Sequence, residues 1–229
     1  MKPILFSTPM VQAVLRGTKT QTRRTVGLNK INENPNEWEA IEINNGDTPD
    51  YGWGAIFRNI KTGQTERIKL PYGFVGDDLW VRETFARTTN VNQLSDWPNR
   101  PHIVDPEHDE SYNGVLQSCV IYKADGPWNW CDDDGFSTDK SHWKPCIFMP
   151  KKACRIFLKI SNVQVQRLHD ISNDDIEAEG VDLSSTPGAH FIMWHRLWES
   201  INDAESWNRN PWLWVVKFER INKPENFLG

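Results

Sequence analysis

Apolar residues change period along this chain, and each change marks an element. In residues 9 to 16, "PMVQAVLR", Val11, Val14 and Leu15 fall at helical spacing, with Pro9 in a tolerated first-turn position and Gly17 as a stop. A short helix is expected there. The following "TKTQTRRTV" is β-branched and alternating, which predicts a strand. Residues 27 to 70 are polar and rich in Asn and Gly. They contain "WEAIEI" and "GWGAIFRNIKTGQTERIKL", the second reading as a hairpin that turns at Lys61, Thr62 and Gly63. "GDDLWVRETFA", residues 76 to 86, is a Gly-Asp turn feeding a strand through Leu79, Trp80 and Val81. From 88 to 145 the pattern is loop-like, dense in Pro, Asp and Asn, with one strand at "SCVIYKA".

Regular alternation returns in "ACRIFLKISNVQVQRL". Ile156, Leu158 and Ile160 share one face, and the apolar set then shifts to Val163 and Val165. A phase change of one residue at Ser161 and Asn162 signals a bulge, or a tight turn between two strands. "DISNDDIEAEGV" predicts a short helix, with Ser172 and Asp175 at capping-box spacing and Gly180 as the stop. "TPGAHFIMWHRLWESIN" predicts a longer one, with Thr186 as N-cap, Pro187 at the first helical position, and Phe191, Trp194, Leu197, Trp198 and Ile201 on one face. "PWLWVVKFERI" is a closing strand whose alternation sends Trp212 and Trp214 to the core. The order of helix, strands, helices and strand predicts a β-rich α+β fold. So many strands are expected to close into a small barrel, which removes free edges.

At 229 residues and 26.6 kDa the chain fits one elaborated domain, 1–229, with insertions at about 27–68 and 88–140. Twelve tryptophans suit a β-rich core and secondarily offer stacking surface for bases. No apolar run is long enough to cross a membrane, and "MKPILFSTPM" lacks the apolar stretch of a signal peptide, so a cytoplasmic location and no membrane partner are expected. Cys119, Cys131, Cys146 and Cys154 form no CxxC pair, and their spacing fits no common zinc module; no metal and no cofactor are expected. The net charge of −5 argues against a protein that coats nucleic acid without specificity. The charge is segregated, however. Residues 1 to 30 carry six Lys or Arg and no acid, residues 140 to 167 carry seven and no acid, and residues 90 to 139 carry ten acids against two bases. If the two basic segments share a face, an anionic ligand is the natural partner.

"GTKTQTRR" resembles the G-x-K-T-x-T-x-R signature of the ASCH domain family, β-barrel relatives of the RNA-binding PUA domain. "GDDLWV" resembles the Gly-Asp strand entry of that fold, "LHDISNDDIEAEGV" its helix with an acidic residue, and "NPWLWVVKFERI" its last strand. With "WKPCIFMPKKACRI" added, the chain resembles the long ASCH proteins encoded by phages and prophages. The resemblance implies a PUA-like (ASCH) small β-barrel with flanking short helices and long loop insertions. One bacterial branch of the family hydrolyses N(4)-acetylcytidine to cytidine and acetate with a lysine, a threonine and a glutamate. Matching the motifs puts these on Lys19, Thr22 and Glu179, with Arg24 on the final arginine of the signature. Other members are thought to bind RNA or to cut it. The resemblance therefore implies an amidohydrolase that removes an acyl group from the exocyclic amine of a modified cytidine. The alternatives are a non-catalytic RNA-binding module using the same basic cleft, and a metal-dependent ribonuclease.

Deacylation needs a nucleophile, a base and an acid for the leaving amine. Thr22 suits the first role, Lys19 the second if burial and the neighbouring Arg23 and Arg24 lower its pKa, and Glu179 the third. Just before Gly180, Glu179 would sit at the negative end of a short helix dipole. Spacing raises an objection: along a regular strand Thr20, Thr22 and Arg24 share one side, while Lys19 faces the other. Lys19 then either lies in the turn after Gly17 or curls round the strand edge. A solvated basic face accounts for Lys19 and Arg23 equally simply, as β-propensity does for Thr20 and Thr22 and a surface helix acid for Glu179. Thr20, Arg23, Arg24, Glu83, Lys151, Lys152 and Arg155 are the candidate substrate contacts, the last three as a phosphate-facing patch. The expected partner is a modified nucleoside or RNA, and no protein partner is expected.

Overall fold

The computed structural model describes residues 1–44, 54–88, 119–126, 142–184, 186 and 188–227. The expectations for most of 88–145, and for Pro187, fall outside them. The described elements are α+β. In chain order they are β1 Lys2–Leu5, α1 Thr8–Leu15, β2 Gln21–Arg24, α2 Asn29–Glu33, β3 Trp38–Ile43, β4 Ala55–Asn59, β5 Thr65–Ile68, β6 Asp78–Arg82, β7 Phe85–Thr88, β8 Cys119–Tyr122, β9 Phe157–Arg167, α3 Asn173–Ala178, α4 His190–Ile201, α5 Ala204–Arg209 and β10 Trp212–Ile221. No described helix is long and apolar enough to cross a membrane.

By its contacts the chain divides into two compact units. The first comprises Met1–Pro3, Ala13–Leu79 and Phe157–Asn222, and the second Ile4–Gln12, Trp80–Ile156 and Lys223–Gly229. The main sheet has strand order β1-β6-β9-β10-β2, and β9, β10 and β2 lie wholly in the first unit. It is an open series: no pairing joins β1 to β2 among the described residues, so the closed barrel expected from the sequence is not observed.

Register in the first unit decides what faces what. β10 pairs antiparallel with β2 through Trp214↔Arg24, Val215↔Arg23, Val216↔Thr22 and Lys217↔Gln21, and with β9 through Trp214↔Val165, Val215↔Gln164 and Val216↔Val163. Because side chains alternate, one face carries Thr22, Arg24, Trp214, Val216, Val163 and Val165, and the other carries Gln21, Arg23, Leu213, Val215, Gln164 and Gln166. The first face is apolar core: Trp214, Val163 and Thr22 are fully buried. Against the second pack α3, α4 and α5, where Leu168, Ile176, Trp194, Trp198, Trp207 and Leu213 form a cluster.

The phase change at Ser161 is a bulge inside one continuous strand. Lys217 faces Asn162 and Phe218 faces Ile160, so Ser161 is the extra residue. The hairpin is as expected: β4 and β5 pair antiparallel around a turn in which Gly63 takes φ +73 and Asn59 Oδ1 accepts from the Lys61 and Thr62 N–H groups at 3.0 Å. Within the 27–68 excursion it forms a three-stranded sheet, β3-β4-β5.

Two details differ from the sequence reading. Helix α4 begins at His190, with Ala189 rather than Thr186 at its N-cap, because Gly188 sits at φ +79 and cannot continue a right-handed helix. Its buried stripe is also narrower than expected. Trp194 and Trp198 are buried, Leu197 partly so, while Phe191 and Ile201 are exposed.

In the second unit β7 pairs with β8, and Phe85 also bridges Lys144. Short 3-10 turns follow at Cys146–Phe148 and Lys151–Ala153.

Candidate active site

Gly17, at φ +77, ends α1 and turns the chain back over it. Its N–H donates to the Val14 carbonyl, and those of Thr18 and Lys19 both donate to the Ala13 carbonyl, at 3.0 and 3.2 Å. Lys19 therefore lies in the turn before β2, where it forms a single antiparallel bridge with Glu179. The Thr20 N–H then donates to the Ala178 carbonyl at 2.8 Å, and the Thr20 carbonyl accepts from the Phe218 N–H. This stitches the signature segment between α3 and β10. On the α3 side, the Ser172 hydroxyl accepts from the Asp175 N–H at the N-cap, and Glu179 is the C-cap residue before Gly180, which takes φ +78.

The Lys19 Nζ donates to the Gln21 carbonyl at 2.8 Å, to the Glu179 carbonyl at 2.8 Å and to Glu179 Oε2 at 3.0 Å. The Thr20 carbonyl points at β10, so that of Gln21 points to the outer edge of β2. Lys19 caps that edge. The other carboxylate oxygen, Glu179 Oε1, accepts from Arg23 Nη1 at 3.0 Å. Arg23 Nη2 reaches Asp175 Oδ2 and Gln166 Oε1, each at 3.0 Å, and the guanidinium lies 6.0 Å from the centre of the Trp194 ring. Lys217 Nζ stands 3.6 Å from Asp175 Oδ1. The carboxylate of Glu179 thus meets two cations.

The network is nearly sealed: Lys19 is 2% exposed, Thr22 0%, Arg23 3% and Glu179 3%. Burial pulls the Lys19 ammonium below the usual lysine range. Glu179 opposes that pull, and Arg24 and Arg23 add to it. Burial also acts on Asp175, in the opposite direction, yet the charges of Arg23 and Lys217 hold its carboxyl below the usual range.

Of the three residues assigned to catalysis, Lys19 and Glu179 meet. Thr22 is one peptide bond beyond the carbonyl that holds Lys19, but its Oγ1 has no hydrogen-bond partner among the described residues and its row is the apolar one with Val216 and Val163. Thr20 is exposed, and Arg24 donates to the Arg23 carbonyl at 3.3 Å. Arg23 is committed to carboxylates and a glutamine.

Neither a family model, nor a curated protein, nor a solved structure matches the chain. The chemistry of the site rests on its own residues.

Glu83, Lys151, Lys152 and Arg155 belong to the second unit. Arg155 grips Glu83 with two parallel bonds of 2.9 Å, bonds Asp125 at 2.8 Å, and lies 3.8 Å from the Tyr122 ring centre. Burial pushes the Glu83 carboxyl up, and Arg155 pulls it back. Each of these charges already has its counterpart in the protein. Lys151 is exposed, 4.6 Å from the Phe227 ring centre, and Lys152 is half-buried. Among the described residues, no three His, Cys, Asp or Glu side chains are grouped to hold a metal ion.

Sequence reasoning missed Asp175, Gln166 and Lys217 as members of the network. A signal existed for two of them. Gln166 continues, with Gln164, the polar phase of an alternation whose apolar phase is Val163 and Val165, and Lys217 is the cation amid the apolar run of β10.

Proposed function

We propose that the chain is a PUA-like protein of the ASCH type and an amidohydrolase that removes an acyl group from the exocyclic amine of a modified cytidine. One observation carries this reading: Lys19 Nζ and Glu179 Oε2 lie 3.0 Å apart and buried, joining the signature segment to the helix that the resemblance pairs with it. A buried ion pair is weak evidence of a stabilising role, and the closeness of the two groups is what a proton-transfer pair requires.

The pair supplies both proton steps. Transfer of one proton from Lys19 to Glu179 converts ammonium and carboxylate into amine and acid without changing net charge. The amine then takes the Thr22 hydroxyl proton as Oγ1 attacks the acyl carbonyl, and the acid protonates the cytosine amine as the C–N bond breaks. A second transfer of a proton from Lys19 to Glu179 regenerates the amine, which takes a proton from water as the water attacks the threonine ester, while the acid returns a proton to Thr22 Oγ1 as the ester C–O bond breaks and the carboxylic acid leaves. Because the three residues are buried, the acyl group enters only if the cover over them opens.

The full burial of Thr22 favours a second reading, in which the network is a structural tie within a non-catalytic RNA-binding module. Incubating the protein with N(4)-acetylcytidine separates the two. Release of cytidine and acetate that is lost in Lys19→Ala and Thr22→Ala supports the hydrolase; no turnover together with tight RNA binding refutes it.

A further inference from the structure

We propose that Arg23 is a positioning residue: it holds Oε1 of Glu179 so that Oε2 is the oxygen that shares a proton with Lys19. This rests on Lys19 and Glu179 acting as a proton-transfer pair. The arginine was a candidate substrate contact in the sequence, but its side chain is 0% exposed and its two terminal nitrogens are given to Glu179, Asp175 and Gln166. Those bonds fix its orientation from α3 and β9 at once.

A guanidinium donates without giving up its proton, so Oε1 stays hydrogen-bonded through every step while Oε2 alternates between acceptor and acid. The planar fork also ties Glu179 to Asp175, four residues apart on α3, and so sets the rotation of the Glu179 carboxyl toward Lys19. A second contribution is charge. Lys19 is faced by Glu179 and, through Arg23, Asp175 from α3, by Arg23 and Arg24 from β2, and by Lys217 of β10 through Asp175. Four cations against two carboxylates leave an excess of positive charge that the loss of one proton from Lys19 relieves.

The test is Arg23→Gln and Arg23→Lys, each read in two ways. The first is the titration midpoint of Lys19 by NMR of labelled lysine, its signal assigned by its loss in Lys19→Met. The second is the pH profile of kcat with N(4)-acetylcytidine. In Arg23→Gln the midpoint is expected to rise, the alkaline-rising limb of kcat to move with it, and kcat to fall on the order of 10²-fold with KM little changed. Arg23→Lys, which keeps the charge without the fork, is expected to restore the midpoint and only part of kcat. A purely structural arginine would lower the melting temperature in both variants and leave the midpoint where it is, and that result overturns the proposal. Should Arg23→Gln fail to fold, Arg23→Lys decides alone: wild-type kcat with a wild-type limb refutes positioning. Absence of turnover in the unmodified protein refutes the hydrolase reading instead, while the midpoint still judges Arg23.

Discussion

Replacing Gly180 by alanine tests how tightly α3 is set against the lysine-bearing turn. The residue sits at φ +78, where an L side chain costs about 1–2 kcal/mol. Its added Cβ would also stand 2.8 Å from Ala13 Cβ and 2.9 Å from Lys19 Cβ, neither of which is the far end of a flexible chain. Overpacking of this kind costs about a further 1–3 kcal/mol. Gly17 supplies the control, because it has nearly the same φ, +77, and nothing within 4 Å of the added carbon. Gly17→Ala should therefore lose about 1–2 kcal/mol and Gly180→Ala about 2–5 kcal/mol. Urea unfolding followed by tryptophan fluorescence measures both, at matched m-values. Equal losses in the two variants would refute the claim that Lys19 and Ala13 press on Gly180. The clash also bears on the site, since any shift of Lys19 Cβ moves Nζ away from Glu179.

Thr22→Val exchanges a buried hydroxyl that has no partner among the described residues for a methyl of similar shape, so the variant should match or exceed the parent by up to about 1 kcal/mol in unfolding free energy from urea while abolishing turnover; a loss of stability would point to a hydrogen bond at Oγ1. Asp175→Asn should reveal a pH-dependent contribution. Since the folded carboxyl lies below its ordinary value of about 3.9, its stabilisation is present above that pH and is lost as pH falls through the folded value. The stability gap between parent and variant should thus be constant near neutrality and close only under acid; a gap that widens as pH falls would contradict the pairing with Arg23. Arg155→Met leaves the Glu83 carboxylate buried without its partner and should cost about 3–5 kcal/mol in chemical denaturation. Arg155→Met combined with Glu83→Gln should cost less than the single change, which an additive double variant would disprove.

The elements whose signals are local were legible in the sequence. The turn at Lys61, Thr62 and Gly63, the Ser172 cap and the phase change at Ser161 each follow from a few adjacent residues; the structure has the first two, and of the bulge or tight turn that the third allowed it has the bulge. Helix α4 was misjudged at its start because the left-handed backbone at Gly188 outweighs the capping preference of Thr186. For the site, the resemblance implied Lys19, Thr22 and Glu179; the structure brings Lys19 and Glu179 together, with Lys19 in the turn, one of the two placements that strand geometry left open, and Thr22 on the apolar side. What spacing cannot supply is a partner distant in the chain. Arg23 finds Gln166 143 residues away and Asp175 152 away; the register of β2, β10 and β9 brings the first to it, and the packing of α3 on that face the second.

The extra residue at Ser161 makes the phase of β9 depend on one residue staying unpaired. Were Ser161 to pair with Lys217, with residues 157–160 held in place, everything downstream would shift by one position: Val163 and Val165 would fall on the row of Arg23, and Gln164 and Gln166 on the row of Trp214. No residue would be lost, and the polar and apolar sides of β9 beyond the bulge would be exchanged. Deleting Ser161, by contrast, would leave Ile160 opposite Phe218 and Asn162 opposite Lys217, so the two halves of β9 would keep their facing and only the bulge would go.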